Sequence, residues 1–98
     1  MKALTIQEIQ NQLKLLPSWK YQKGFIQRDF EFSSFKKTIN FLNEVAYLAE
    51  TKNHHPMLIN NFNILEIKLS THDVNGISQK DFDLASDIDE LYLKRSNQ

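Results

Sequence analysis

The chain contains 98 residues, with twelve acidic and twelve basic side chains and no cysteine. Its hydrophobic share of 41% and charged share of 24% suit one globular domain, a unit that typically has ~100–150 residues. The balanced charge argues against a nucleic-acid-binding surface, and the missing cysteines exclude disulfides, a thiolate nucleophile and cysteine-ligated zinc. No apolar run resembles a signal peptide or approaches the ~18 residues of a membrane span. We therefore expect a single cytoplasmic domain over residues 1–98 with no membrane or direct nucleic-acid partner.

The N-terminal third shows the pattern of a capped helix followed by a β-hairpin. Thr5 to Glu8 matches a capping box, and apolar residues at helical spacing continue to Pro17, which predicts a helix from about Ile6 to Leu15. Alternating segments on either side of Gln22–Gly24 predict two strands joined by a tight turn. In the second of these strands, Arg28 falls on the otherwise apolar side.

A long helix is predicted next. Ser33 or Ser34 can cap its start, and it ends near Lys52. Its apolar positions cover roughly half of the helix circumference; they are Phe35, Ile39, Phe41, Leu42, Val45, Ala46, Leu48 and Ala49. Glu50 lies at the edge of this stripe in the last turn, where the helix dipole disfavours a carboxylate. It is therefore either a solvated rim residue or a functional one.

A second strand pair and a third helix complete the pattern. The strands flank an Asn-rich turn at residues 60–63, and the second strand alternates Leu65, Ile67, Leu69 and Thr71 on one face with Glu66, Lys68, Ser70 and His72 on the other. Residues 78–81 then resemble a capping box with Asp in place of Glu. The apolar arc of the last helix, roughly 200° wide, exceeds what one sheet face covers, which indicates a second buried surface, most simply another subunit. Its members are Phe82, Leu84, Ala85, Ile88, Leu91, Tyr92 and Leu93.

The element order α-β-β-α-β-β-α predicts an α+β fold. In this fold a single four-stranded antiparallel sheet carries helices packed on one face. The split β-α-β crossover of ferredoxin-like folds is the nearest alternative topology.

All three histidines lie between residues 54 and 72. His54 and His55 are adjacent, so in extended chain they point in opposite directions, and Pro56 restricts His55 to the β or polyproline region. Histidine is the side-chain type best suited to proton transfer near neutral pH. Two or three imidazoles around one cavity could supply a base, an acid and an orienting contact.

Asp81 is the carboxylate that a helical wheel aims inward, whereas Asp83 and Asp87 point to solvent. It either caps the last helix or hydrogen-bonds a histidine or a cationic ligand group, and these two roles are compatible. Three histidines and a carboxylate are also a plausible ligand set for zinc or iron. Adjacent histidines lack the i,i+4 spacing of helical metal sites, so we expect no metal, and surface or structural histidines are the other alternative.

At this point the chain resembles the pterin-4a-carbinolamine dehydratases. The pattern that carries the resemblance is Glu50, His54-His55-Pro56, Phe62, His72 and Asp81, with agreeing flanks at residues 69–72, 76–78 and 81–86. The resemblance runs from about Trp19 to Tyr92 and is compatible with the N-terminal helix. A pattern with this many fixed positions is specific.

The resemblance implies an activity: dehydration of 4a-hydroxytetrahydrobiopterin to quinonoid dihydrobiopterin, which recycles the pterin after an aromatic amino-acid hydroxylase. No metal, flavin or nicotinamide cofactor is implied. By resemblance, His54, His55 and His72 share the proton transfers, without an individual assignment of acid and base, and Asp81 helps to hold the histidines or the pterin. The expected substrate-binding residues are Glu50, Pro56, Leu58, Ser70 and Thr71.

Three residues depart from the family pattern. Leu58 stands where many members carry tryptophan, Phe62 replaces tyrosine, and Lys80 stands where relatives often have arginine. We expect these changes at the rim of the pocket to affect affinity and pterin side-chain preference, not the reaction type. The family also forms tetramers from two dimers, in agreement with the wide apolar arc of the last helix. The alternative function is a protein-interaction, assembly or transcriptional-cofactor module with little turnover.

Overall fold

The computed structural model describes residues 1–96, which form three α-helices and one four-stranded antiparallel sheet. In chain order the elements are α1 (Ile6–Leu13), β1 (Lys20–Gln22), β2 (Phe25–Glu31), α2 (Phe35–Lys52), β3 (Met57–Asn61), β4 (Ile64–Leu69), a 3₁₀ turn (His72–Val74) and α3 (Gln79–Ser96). The spatial strand order is β1-β2-β4-β3. The predicted α+β class and element order are therefore confirmed.

The segment from β2 through α2 to β3 forms a split crossover. Strand β4 pairs antiparallel with both β2 and β3 and lies between them, so β2 and β3 are parallel. The split β-α-β crossover, which is a feature of the alternative topology, is thus present within the predicted α+β fold.

The predicted capping box of α1 is confirmed, but this helix ends at Leu13 instead of Leu15. The Glu8 amide donates to Thr5 Oγ1 at 3.1 Å, and the Thr5 amide donates to Glu8 Oε1 at 2.8 Å. Beyond Leu13 the amides of residues 15 and 16 bond carbonyls three residues back, which is the tighter 3₁₀ pattern. Pro17 explains the early end, because it disfavours the helical conformation in the residue before it.

The core lies between one face of the sheet and the helices. The apolar helix-facing residues of β2 and β4 are fully buried; they are Ile26, Phe30, Leu65, Ile67 and Leu69. The predicted inner face of β4 is therefore confirmed. Helix α2 contributes a buried stripe of Thr38, Phe41, Val45 and Ala49.

The predicted apolar face of α2 was wrong at two positions. Phe35 is 50% exposed and Ala46 is also exposed, whereas the polar Thr38 is buried. At 3.6 residues per turn, Phe35 and Ala46 lie on one flank of the stripe, and a single sheet covers only its centre.

Arg28 faces the helices, as its position in the alternation indicated. Its Nη1 donates to Asp89 Oδ1 of α3 at 2.7 Å, and the Trp19 indole donates to the same oxygen at 2.8 Å. The guanidinium carbon lies 4.4 Å from the ring centroid of Phe30 and 5.1 Å from that of Tyr92. The charge on the apolar face is thus paired with a carboxylate and flanked by aromatic rings.

Candidate active site

The C-terminal end of α2 reverses sharply and so directs the two adjacent histidines. Asn53 adopts the left-handed conformation with φ 51°, and its amide bonds the Ala49 and Glu50 carbonyls. The His54 amide then donates to the Ala49 carbonyl at 3.0 Å. Asparagine is one of the few residue types that adopt this conformation readily, so the local sequence favours the reversal.

His54 is directed inward onto the start of α3. Its Nε2 lies 2.6 Å from Asp81 Oδ1, and the Asp81 side chain is fully buried. The second oxygen, Asp81 Oδ2, accepts from Thr71 Oγ1 at 2.8 Å and from the Ser78 amide at 2.9 Å. Asp81 therefore caps α3 and bonds a histidine at once, so both roles derived from its position hold.

His55 points the other way, as predicted for adjacent residues. Its Nε2 lies 2.9 Å from Glu50 Oε1, in a pair whose side chains are 62% and 76% exposed. Glu50 is thus a solvated rim residue that also orients a histidine. His72, at the start of the 3₁₀ turn, is exposed, and its ring forms no hydrogen bond with any of residues 1–96.

A cavity of about 300 Å³ brings the three histidines together. Its lining residues are Asn53, His54, His55, Ser70, Thr71, His72, Asp73 and Lys80. The end of α2, the end of β4 and the start of α3 supply these residues. The histidines and two of the expected substrate-binding residues, Ser70 and Thr71, therefore meet at one site.

Other expected contacts lie elsewhere. Leu58 pairs with the buried Ile67 across the sheet and packs against the core, because directly opposed residues share a sheet face. Pro56 and Glu50 are also outside the cavity lining. Phe62, 65% exposed, lies in the β3–β4 turn, at the opposite end of β4 from His72. In this chain Leu58 and Phe62 are thus not at the rim of the pocket, contrary to expectation.

Sequence reasoning gave no site role to two of the lining residues, Asn53 and Asp73, whereas it expected Lys80 at the rim of the pocket, and Lys80 does line the cavity. Asn53 could have been found as a helix-terminating asparagine directly before His54. Lys80 precedes the inward-facing Asp81 on the exposed side of the first turn of α3. Asp73 follows His72 and carries no comparable signal.

The structure also contains a larger cavity, of about 620 Å³, between α2 and α3. Its lining carries carboxylates and cations but no histidine. We place the candidate site in the smaller cavity because it gathers every histidine of the chain. Within residues 1–96, no three or more His, Asp or Glu side chains are arranged to hold a metal ion.

Histidines paired with carboxylates around one cavity define a candidate acid–base site on an α+β sandwich. The chain belongs to the pterin 4 alpha carbinolamine dehydratase family, whose family model matches residues 2–91.

Relatives and solved structures agree with this membership. The chain is 43% identical to a protein of Christiangramia forsetii, and the match covers 93% of this chain and 94% of the relative. It is 41% identical to a protein of Sulfurisphaera tokodaii, and that match covers 93% of this chain and 98% of the relative. Both relatives are provisionally named pterin-4-alpha-carbinolamine dehydratases.

Two solved structures share the fold. A transcriptional coactivator/pterin dehydratase from Brucella melitensis superposes with a TM-score of 0.88 at 29% identity, covering 93% of this chain and 99% of that one. The second structure is a pterin dehydratase-like RuBisCO assembly factor of the alpha-carboxysome, with a TM-score of 0.66 at 24% identity. The match covers 76% of this chain and 89% of that one, and at this identity it is evidence for the shared fold only. None of the helices described here is long and apolar enough to cross a membrane.

Proposed function

We propose that this protein dehydrates a 4a-hydroxytetrahydropterin, 4a-hydroxytetrahydrobiopterin where an aromatic amino-acid hydroxylase supplies it, to the quinonoid dihydropterin and water. The observation that carries the proposal is the meeting of His54, His55 and His72 at one cavity, two of them held by carboxylates. Membership of the dehydratase family supports it.

The reaction needs one acid and one base. The C4a–O bond breaks and the oxygen leaves as water with a proton from the acid, N5 loses a proton to the base, and a C4a=N5 double bond forms. Each transfer by a positioned group typically contributes ~10²–10⁴-fold. The histidines supply both groups, and we assign the transfers to the three rings as a set because interacting groups titrate together. The step balances without an oxidant, a reductant or a cofactor.

The lining also offers groups that can bind the pterin ring. A volume of about 300 Å³ is at the small end of ligand sites and suits a bicyclic ring. Ser70, Asn53 and Lys80 can offer polar atoms to the ring edge. The Thr71 hydroxyl is already hydrogen-bonded to Asp81, so we expect Thr71 to contact the pterin through its backbone.

A hydroxylase-coupled assay tests the proposal, because the hydroxylase generates the 4a-carbinolamine whose decay is followed. We expect the protein to accelerate that decay, and His55→Ala or His72→Ala to lower the rate at least about tenfold. Lys36→Ala, in the first turn of α2 at the end away from the cavity, is the control. If both histidine variants keep the parental rate, the site is wrong.

A second candidate function is a protein-interaction module of the same fold. Two observations favour it: the similar Brucella melitensis protein is named a transcriptional coactivator as well as a pterin dehydratase, and the cavity between α2 and α3 includes Tyr47, which is 74% exposed. Negligible dehydration together with a stable complex with an unrelated protein would favour this function. Measurable dehydration that depends on the histidines would favour the enzyme.

We also propose that the protein is a homo-oligomer, a dimer or a tetramer, that associates through α3. Phe82, Leu84, Ala85 and Ile88 of its apolar arc are already buried within the chain. The part of the apolar arc that remains exposed is therefore narrower than the sequence indicated. It centres on Leu93, which is 62% exposed.

A further inference from the structure

A chain of hydrogen bonds runs beneath the cavity and ends at His54. The Lys80 amide donates to Ser78 Oγ at 3.2 Å, Ser78 Oγ lies 2.7 Å from Thr71 Oγ1, and Thr71 Oγ1 lies 2.8 Å from Asp81 Oδ2. Asp81 Oδ1 then meets His54 Nε2 at 2.6 Å. Ser78 and Asp81 are fully buried and Thr71 is 3% exposed, so water does not compete for these bonds.

Which oxygen donates in each of these hydrogen bonds follows from the carboxylate of Asp81, which is the acceptor at one end of the chain of bonds. A carboxylate only accepts, so the single hydroxyl proton of Thr71 points at Asp81. Thr71 Oγ1 must then accept from Ser78, whose own oxygen accepts from the Lys80 amide. In this one arrangement each hydroxyl both donates and accepts, and no buried side-chain polar atom among the described residues is left unpaired.

The same direction fixes the proton on His54. Because Asp81 Oδ1 accepts, Nε2 of His54 must carry a hydrogen, which leaves Nδ1 as the ring atom that can exchange a proton with a ligand. Nδ1 has no hydrogen-bond partner among the described residues, yet it is not a buried unpaired atom, so it reaches solvent. His54 lines the cavity, where such a proton would be exchanged.

We propose that Thr71 and Ser78 are positioning residues for His54. Two donors, the Thr71 hydroxyl and the Ser78 amide, fix Asp81 Oδ2 and so prevent the carboxylate from turning about its Cβ–Cγ bond. The Ser78 hydroxyl in turn holds Thr71 in its donating orientation. Oδ1 therefore stays on Nε2 of His54, and Nδ1 stays the ring nitrogen that is open to solvent. The effect on turnover rests on the proposed dehydratase function, whereas the effect on His54 does not.

Nuclear magnetic resonance of the ¹⁵N-labelled protein measures how fast the His54 Nε2 proton exchanges with water. We expect Thr71→Val and Ser78→Ala to accelerate this exchange at least about tenfold, because the carboxylate that protects the proton is then held by the Ser78 amide without an oriented Thr71 hydroxyl. Thr71→Ser keeps the hydroxyl and should restore slow exchange. Thr38→Val removes another buried threonine hydroxyl, one that bonds the Ser34 carbonyl at 2.7 Å in the first turn of α2, and should leave His54 unchanged.

The coupled assay supplies the second readout. Thr71→Val should lower kcat at least about tenfold with KM changed less than about twofold, and Thr71→Ser should recover most of kcat. If Thr71→Val does not fold, Ser78→Ala carries both measurements, because it keeps the backbone amide on Asp81.

The two proposals fail in different ways. Slow Nε2 exchange and an unchanged kcat in Thr71→Val would overturn the positioning role while leaving the dehydratase standing. Absence of dehydration by the parent protein, with fast exchange in Thr71→Val, would refute the proposed function and support the positioning role.

Discussion

Asp81 is the residue on which the described site depends most. It is fully buried and accepts from three donors, one from each of His54, Thr71 and Ser78. It also lies in the first turn of α3, where the helix dipole favours a negative charge. A buried carboxylate is costly unless it is fully hydrogen-bonded, and here both oxygens are.

Asp81→Asn tests this dependence at the same side-chain size. The amide group replaces one acceptor oxygen with a donor, so either one of the three donors loses its acceptor or His54 shifts its proton from Nε2 to Nδ1. We expect the free energy of unfolding to fall by about 1–3 kcal/mol in urea titrations, and the dehydration rate to fall with it. Asp83→Asn is the control, because Asp83 lies two residues further along α3 and is exposed. Equal stability of the two variants would contradict the burial argument.

At the scale of elements, the end of α2 decides where the histidines point. The left-handed Asn53 ends the helix and starts the extended segment through His54 and His55. A residue with a Cβ and no polar side chain is disfavoured in this conformation.

Asn53→Ala should therefore destabilise the protein by about 1 kcal/mol, and Asn53→Gly should restore or exceed the parental stability, because glycine adopts positive φ without steric cost. Thermal unfolding measures both variants. Asn40→Ala, at an exposed position within α2, is the matched control and should not lower the midpoint. Equal losses in Asn53→Ala and Asn53→Gly would show that the asparagine side chain, not the backbone conformation, matters.

One partly buried ion pair joins β2 to α3. Arg28 and Asp89 have side chains that are 18% and 20% exposed, and Trp19 shares the same carboxylate oxygen. Arg28 occupies a position on the inner face of β2 where its neighbours are apolar. The carboxylate of Asp89 on α3 pairs with its charge.

A double-mutant cycle measures this compensation. Arg28→Met and Asp89→Asn should each cost about 1–3 kcal/mol, with a coupling energy of at least about 0.5 kcal/mol because the residues are in direct contact. The matched cycle on Lys52 and Asp87, whose side chains are 50% and 36% exposed, should give a coupling below about 1 kcal/mol and smaller than that of Arg28 with Asp89. A larger coupling for the exposed pair would contradict the argument from burial.

At the scale of the whole molecule, the expected outcome is self-association. Sedimentation should give a mass that is a multiple of 11.6 kDa, and Leu93→Glu should lower it by placing a charge on the proposed interface. Leu15→Glu is the matched control, because Leu15 is 81% exposed after α1. A monomeric parent protein would exclude the oligomer, and an effect of Leu15→Glu alone would exclude α3 as the interface.

The sequence by itself determined the element order, the cap of α1, the buried face of β4 and the presence of three histidines with an inward Asp81. These features depend on residue type and on local periodicity, which act within a few residues of the chain. The same local physics failed at Phe35 and Ala46, because only the packed sheet decides which part of an apolar stripe is covered.

Only the tertiary structure decided which side chains share a site. It brought Asn53 and Asp73 to the histidines, packed Leu58 against the core, and placed Phe62 at the far end of β4. It also showed that the Thr71 hydroxyl is used by Asp81. The physical reason is that these contacts join the ends of α2, β4 and α3, and periodicity along the chain carries no information about how separate elements pack together.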